Sequence, residues 1–400
     1  DISVLNKEDS IFIFFFGYSS KKIILTKDTS INLSSKSVNL DEIILSANRK
    51  PEHKIDVPFL IEIIKQKDIE FSNPATTGDL LSNTGQVFVQ KSQAGGGSPS
   101  LRGFEANKVL LVIDGVRMNN AIYRGGHLQD VMTIDPNMLE RTEIVFGPSS
   151  TIYGSDALGG VMNFYTKNAQ FSTDDKTLFK LNSMVRYSSV SNEQTSHLDF
   201  NLGFKNLASL TNITYHNFDD LKSGSNKLNG YTNVWERNYY QDRINGRDTL
   251  IKNSDNTLQK GTGYSQMDIM QRFNIKTGNY ITHNLNFQYS STGLLPRYDR
   301  LNGDYSNGKF KFSENGYGPQ QRLLAAYTLN YDCKSNISDN LKVILAYQKI
   351  DQDRITRSFQ NLNRKTQKED VSVLSNKFEC SKREINFFIK TLEELNNKTN

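Results

Sequence analysis

Two stretches decide the fold: SPSLRGFEANKVLLVIDGVRMNN at residues 98–120 and ERTEIVFGPSSTIYGSDALGGVMNFYTK at 140–167. In the first, KVLLVIDG (108–115) is a run of aliphatic and β-branched residues closed by glycine, the pattern of a buried strand. ERTEIVFG (140–147) and GGVMNFYT (159–166) read the same way, and VFVQ (87–90) adds another strand. Upstream, Leu60, Ile61, Ile63 and Ile64 after Pro58 have the apolar spacing of a helix. Leu80 and Leu81 after Pro74 suggest a second. Gly103, Gly115, Gly147, Gly154, Gly159 and Gly160 sit at strand ends, where positive φ or a close backbone approach is cheap only for glycine. Residues 57–168 thus read as a mixed α+β domain of about a hundred residues. Its charged residues Arg102, Glu140, Arg141 and Glu143 are placed for ion pairs, within the domain or to whatever encloses it.

The texture changes from Phe171 onward. LFKLNSMVRY sets Phe179, Leu181, Val185 and Tyr187 on one face against Lys180, Asn182 and Arg186 on the other. SHLDFNLGF sets Leu198, Phe200, Leu202 and Phe204 against His197, Asp199 and Asn201. A short turn at Lys205-Asn206 leads into LASLTNITYH, and similar runs occupy 265–275, 280–290, 322–331, 341–349 and 369–378. Other joints, at 217–264 and 292–321, are long and polar. Short turns on one side and long loops on the other suit a membrane β-barrel, its apolar face toward lipid and its Asn/Gln/Lys face toward the lumen. A soluble β-sandwich with one wet face is the alternative, though loops of this length are uncommon there. The end, KREINFFIKTLEELNNKTN, loses the alternation and reads as charged and helix-like.

The composition narrows the classes. No run of eighteen apolar residues occurs, which excludes a helical membrane protein. Ten per cent aromatic residues argue against disorder throughout. The net charge of +5 is spread along the chain and gives no sign of nucleic-acid binding. Cys333 and Cys380 have no disulfide or metal spacing. An enzyme is the competing class, but no nucleophile elbow, phosphate loop or His-Glu metal helix is present, and AGGGSP (94–99) lacks a strand-to-helix context. Ahead of the α+β region, IFIFFFGY and KKIILTKDTSINLSS read as strands. Residues 38–58 read as a linker carrying one apolar patch, Ile43–Leu45. The first residue is Asp and no signal peptide is visible, so a processed or truncated start is expected.

The motif order in residues 98–167 resembles the plug domain of TonB-dependent outer-membrane receptors. The matching residues are Arg102-Gly103-Phe104, Ile113-Asp114-Gly115, Glu143-Ile144 with Gly147-Pro148, Tyr153-Gly154, Ala157 with Gly159-Gly160 and Asn163, then Thr166-Lys167. Asp41, Glu42, Ile43, Ile44, Leu45 and Ser46 look like that family's TonB box. The resemblance implies four parts. Residues 1–38 are a remnant of a carboxypeptidase-regulatory-like β-sandwich, 39–56 hold the TonB box and linker, 57–168 are the plug, and 169–400 are the first strands of a transmembrane antiparallel β-barrel. A plugged barrel has about 22 strands, so the chain is expected to be the N-terminal part of such a receptor.

What the resemblance implies about function is energy-coupled import across the outer membrane of a Gram-negative cell. The TonB C-terminal domain, with its ExbB/ExbD motor, is the implied partner, with outer-membrane lipid around the barrel and a surface lipoprotein as a further candidate. No enzyme activity and no prosthetic group are implied. In NNAIYRGGHLQDV (119–131) the resemblance is to haem-uptake receptors: His127 is placed as an axial iron ligand, Tyr123 to stack on the porphyrin and Arg124 to pair with a propionate. A haemoprotein, a ferric siderophore or cobalamin is the alternative cargo. A non-transporting adhesive barrel is the alternative class.

Overall fold

The computed structural model describes residues 10–13, 21–24, 43–44, 52–54, 57, 59–91, 94–122, 131–224, 236–303, 305–306, 309–332 and 340–381. The chain divides into two units, Asp1–Pro58 and Phe59–Asn400. In the first, Ser10–Ile13 pairs antiparallel with Lys21–Ile24, and Ile43–Ile44 pairs with Glu52–His53. The helix-like end read at 382–400 and Cys333 lie outside the described residues.

The second unit opens with a five-stranded sheet. Its strands are β1 (Leu60–Lys65), β2 (Val109–Ile113), β3 (Val116–Arg117), β4 (Leu139–Phe146) and β5 (Gly160–Thr166), in the order β1-β4-β5-β2-β3. β5 runs parallel to β2 and the other pairs are antiparallel. All five residues of β2 are buried, as its unbroken aliphatic run requires. The helix expected after Pro58 is instead β1. Ile61 and Ile64 are buried with helix-like spacing, but the segment is half β-branched and its backbone pairs with β4, from Leu60↔Phe146 to Lys65↔Arg141. The helix starts one residue later as α1 (Gln66–Ser72), where Asp68 accepts a hydrogen bond from the Lys65 N–H. The second expected helix is present as α2 (Thr77–Ser82), capped by Thr76.

Two glycines of the motif are sterically obligatory. A Cβ on Gly159 would run into Cβ of Phe104, which cannot swing away. Gly115 combines φ +85° with an approach of 2.8 Å between an added Cβ and Cδ1 of Ile344.

Eight long strands follow: β6 (Leu178–Ser188), β7 (Glu193–Gly203), β8 (Leu207–Phe218), β9 (Tyr264–Thr277), β10 (Ile281–Thr292), β11 (Phe312–Tyr331), β12 (Asn340–Ser358) and β13 (Lys365–Ser381). They form one antiparallel sheet in chain order, with Leu295–Pro296 added against β11. Each coincides with a period-2 run of the sequence. β11 extends further than its run suggested, because a register shift between Tyr317 and Gln320 lets Gly318-Pro319 sit inside a strand. The loop expected at 292–321 is shorter for that reason.

This wall is polar on its buried face and apolar on its open face. On β7, Glu193, Thr195, His197, Asp199 and Asn201 are buried while Leu198 is 40% exposed. Tyr215, Phe287, Leu323 and Leu345 are likewise exposed on their strands. A soluble sandwich does the opposite, so the sandwich alternative fails and the arrangement is that of a barrel wall with lipid outside. No helix among the described residues is long and apolar enough to cross a membrane. The inner face is not uniformly polar. Ala208, Leu210, Met270, Leu324, Ala326, Ile344 and Ala346 join Ile64, Leu111, Ile144, Phe164 and their neighbours in one core shared by the small sheet and the wall.

Gly159→Ala is expected to destabilise the small sheet by about 1–3 kcal/mol through overpacking against Phe104. Amide hydrogen exchange at Gly160–Thr166 should accelerate correspondingly, with exchange in β8 and β9 unchanged.

Candidate functional site: the seam between plug and wall

The turn after β2 places Asp114 against the wall. Its Oδ1 accepts from the Thr166 N–H at 2.9 Å. Its Oδ2 accepts from Thr166 Oγ1 at 2.7 Å, Arg272 Nη2 at 2.7 Å, Asn286 Nδ2 at 2.8 Å and Gln288 Nε2 at 3.3 Å. Arg272 also reaches Thr166 Oγ1 at 2.7 Å, and its side chain is only 6% exposed. One carboxylate thus ties β5 to β9 and β10.

A second cluster lies along β7, β8 and β9. Lys167 Nζ donates to Asp199 at 2.7 Å, and His197 Nε2 lies 3.1 Å from the same carboxylate. His197 Nδ1 meets Thr214 Oγ1 at 2.8 Å, and Thr214 donates to Asp135 at 2.5 Å. His216 Nε2 stands 3.6 Å from Asp135 and 3.9 Å from Asp268, while its Nδ1 meets Thr195 at 3.0 Å. Thr195 donates to Glu193, which Arg186 clasps while also donating to Asn73 and to the Pro74 carbonyl. Plug residues Lys167, Asp135 and Asn73 thus join a chain of wall side chains at three points. Burial pushes the Asp135 carboxyl up, but bonds from His216 and Thr214 and the charge of His216 outweigh it and hold it at about 2. Wall side chains also cap plug backbone: Gln266 on Met132 O, Gln348 on Arg117 O and Arg322 on Thr133 O. Asn201 makes a two-way pair with the backbone of Gln170.

The motif residues divide between this seam and the plug's own framework. Asp114 and Gly115 touch the wall. Glu143 is fully buried and accepts from Arg141 Nε at 2.8 Å, an ion pair inside the plug, and Arg141 lies 4.2 Å over the Tyr165 ring. Arg102 and Gly103 form a tight turn with positive φ, the guanidinium 5.5 Å from the Phe146 ring. Gly147 and Pro148 lead into the short helix Ser150–Tyr153, which ends at Gly154. Asn163 is buried on β5 beside Glu143, and Gly160 packs on the Val145 carbonyl. Ile43 and Ile44 are in a short strand, while Asp41, Glu42, Leu45 and Ser46 lie outside the described residues.

His127, Tyr123 and Arg124 also lie outside the described residues, but the described residues before and after them are anchored. Asn119 accepts from the Leu111 N–H and donates to Val109 O. Ile122 packs on Ile350, and on the return Val131 N–H bonds to Gly97 O. These anchors sit toward the end of the wall that carries the long connections 219–263 and 293–311. Asp135, His197, His216 and Asp268 were not singled out as site residues from sequence. The alternation of β7 puts His197 on the polar face, but nothing in it says what it faces.

Residues 53–161 match the family described as TonB-dependent Receptor Plug Domain. The chain is 33% identical over 134 residues to the vitamin B12 transporter BtuB of Vibrio vulnificus, covering 33% of this chain and 22% of that protein. It is 30% identical over 142 residues to the hemin receptor of Yersinia pestis, covering 35% of this chain and 20% of the relative. Among solved structures, the siderophore receptor PiuA of Acinetobacter baumannii superposes with a TM-score of 0.57 at 17% identity, over 85% of this chain and 44% of that one. The copper transporter OprC gives 0.60 at 13% identity, over 81% and 43%. At these identities the structures speak for the fold alone. The aligned region is about a fifth of the curated relatives, and this chain spans less than half of the solved ones.

The seam should be acid-sensitive with a defined sign. The folded Asp135 carboxyl lies below its ordinary 3.8, so its stabilisation is complete above about pH 4 and is lost as pH falls toward about 2. Exchange protection of Val131–Leu139 is expected to fall across that window. Asp135→Asn should lower protection at neutral pH and flatten the acid step.

Proposed function

We propose that this chain, a TonB-dependent receptor by its plug domain and wall strands, belongs to an outer-membrane importer of a scarce nutrient, with haem as the cargo. The observation that carries the import reading is the seam. A plug held in a barrel wall by hydrogen bonds and ion pairs, each worth roughly 0.5–3 kcal/mol net, is specific in position yet displaceable by a mechanical input. Family members are receptors and transporters, not enzymes.

The input would arrive through residues 41–46. Ile43–Ile44 is already extended, in a ladder of only two residue pairs with Glu52–His53. So short a ladder is a weak restraint, and a strand of this kind is a suitable addition to a partner's sheet edge, here that of the TonB C-terminal domain. The motor would then pull on the chain that leads directly into β1. Haem is supported by the likeness to hemin receptors and by His127 in a loop anchored at the long-loop end of the wall. Neutral imidazole is a suitable iron ligand, with Tyr123 and Arg124 beside it for ring and propionate. Cobalamin is the second reading, supported by the equally strong likeness to a vitamin B12 transporter.

In the full-length receptor, deletion of residues 38–48 should abolish uptake and leave ligand binding intact. Retained uptake would remove the energy-coupled reading. His127→Ala should weaken haem binding at least about tenfold, some 1.4 kcal/mol, and shift the Soret band. An unchanged spectrum with unchanged haem-dependent growth would favour cobalamin or a siderophore.

A further inference from the structure

The long-loop end of the wall holds a cavity of about 290 Å³, lined by no residue of the Asp114 and Asp135 clusters. It lies between the hairpin formed by Tyr239–Ile244 and Arg247–Lys252, the crossing segment 294–301, and the ends of β11 and β12. Leu294, Pro296, Leu301 and Ile355 make its apolar side, and Arg237 stands at its polar end.

Arg237 is the unusual residue. It is 2% exposed, and among the described residues it has no carboxylate partner. Its Nε donates to Tyr239 O at 3.3 Å, Nη2 to Gln241 Oε1 at 3.0 Å and Nη1 to Lys260 O. All three acceptors are neutral, and the Tyr298 ring covers one face at 5.2 Å. A guanidinium has five N–H donors, so two remain unused, one on each terminal nitrogen. Burying a cation with no directly bonded carboxylate is costly, and burial pulls the Arg237 pKa below its ordinary value, against the more distant charge of Asp220.

Of the other charges around the cavity, Glu314 and Lys260 are paired and Asp242 lies exposed to solvent. Glu314 receives Arg357 at 2.7 Å and Arg364 at 3.1 Å. Lys260 lies 3.5 Å from Asp220. Asp242 accepts from the Arg243 N–H. The hairpin itself is held down separately, by Asp248 bonded to Arg357, Ser313 and the Gln360 N–H. Arg237 ties Lys260 O to Tyr239 O and Gln241, and its guanidinium lines the cavity opposite the apolar side chains.

We propose that this cavity is a binding site for a small aromatic carboxylate, with Arg237 as its counter-ion. The two free N–H groups suit the two carboxylate oxygens, as in other arginine–carboxylate pairs. The apolar side takes the ring, and the volume, at the small end for ligand sites, limits the guest to about one ring. The site goes beyond the import reading and does not depend on the identity of the cargo.

The test uses the full-length receptor in detergent with 4-fluorobenzoate and its neutral isostere 4-fluorobenzamide, followed by fluorine NMR line broadening. The acid should bind the wild type at least about tenfold more tightly than the amide. Arg237→Gln should remove that preference, and Ile355→Trp, which fills the cavity and leaves the arginine in place, should abolish binding of both. Hydrogen exchange in Tyr239–Lys252 reports whether each variant keeps the hairpin. Equal binding of acid and amide by the wild type would overturn the proposal, as would undiminished acid binding in Ile355→Trp.

Discussion

The carboxylate of Asp114 sets the terms for the rest of the structure. It sits in a turn that only a following glycine permits, and it collects donors from Thr166 in the plug and from Arg272, Asn286 and Gln288 in the wall. A wall that shows apolar residues to its outside must turn its polar alternates inward, and buried polar atoms need partners. The plug supplies them. Without it, Arg272, Arg322 and Asp199 would line an open lumen and lose the plug contacts that orient them. The seam is where the two halves of the sequence, one α+β and one mostly strand, become one structure.

The balance of forces at this seam matters for what the molecule does. The shared apolar core around Met270, Leu324 and Ile344 gives general adhesion. The hydrogen-bonded lines give register, because they are satisfied in one placement of the plug only. Buried ion pairs contribute less to net stability than their Coulomb energy suggests, since desolvation offsets most of it. Such a contact is costly to break at one partner, yet tolerable to exchange for water when the whole plug moves. That is the property an energised gate requires.

Much of this was legible in the chain. The eight wall strands follow from alternation alone, and the plug strands from short aliphatic runs ended by glycine. Where the reading failed, a local signal was outweighed by pairing. Leu60, Ile61, Ile63 and Ile64 have helical spacing, but β4 needs an edge partner and the isoleucines suit it. Residues 312–321 contain Gly and Pro and read as loop, and a bulge carries them into β11. The seam itself was half visible. Asp114, Thr166 and Lys167 stand in the motif, but Arg272 is 158 residues from Asp114, and only the strand register brings them together. His197 stands on the polar face of its run, but nothing there shows that Thr214 would link it to Asp135.

The most direct test of the account is a double-mutant cycle on Asp114 and Arg272, read by hydrogen exchange of the plug strands Val109–Ile113 and Gly160–Thr166 in the whole chain. If the plug is held to the wall through this pair, each single alanine variant loses protection. The double variant then loses clearly less than the sum, with a coupling of about 1–3 kcal/mol. Strictly additive losses, or plug protection indifferent to Arg272→Ala, would show that the plug holds its place without the seam.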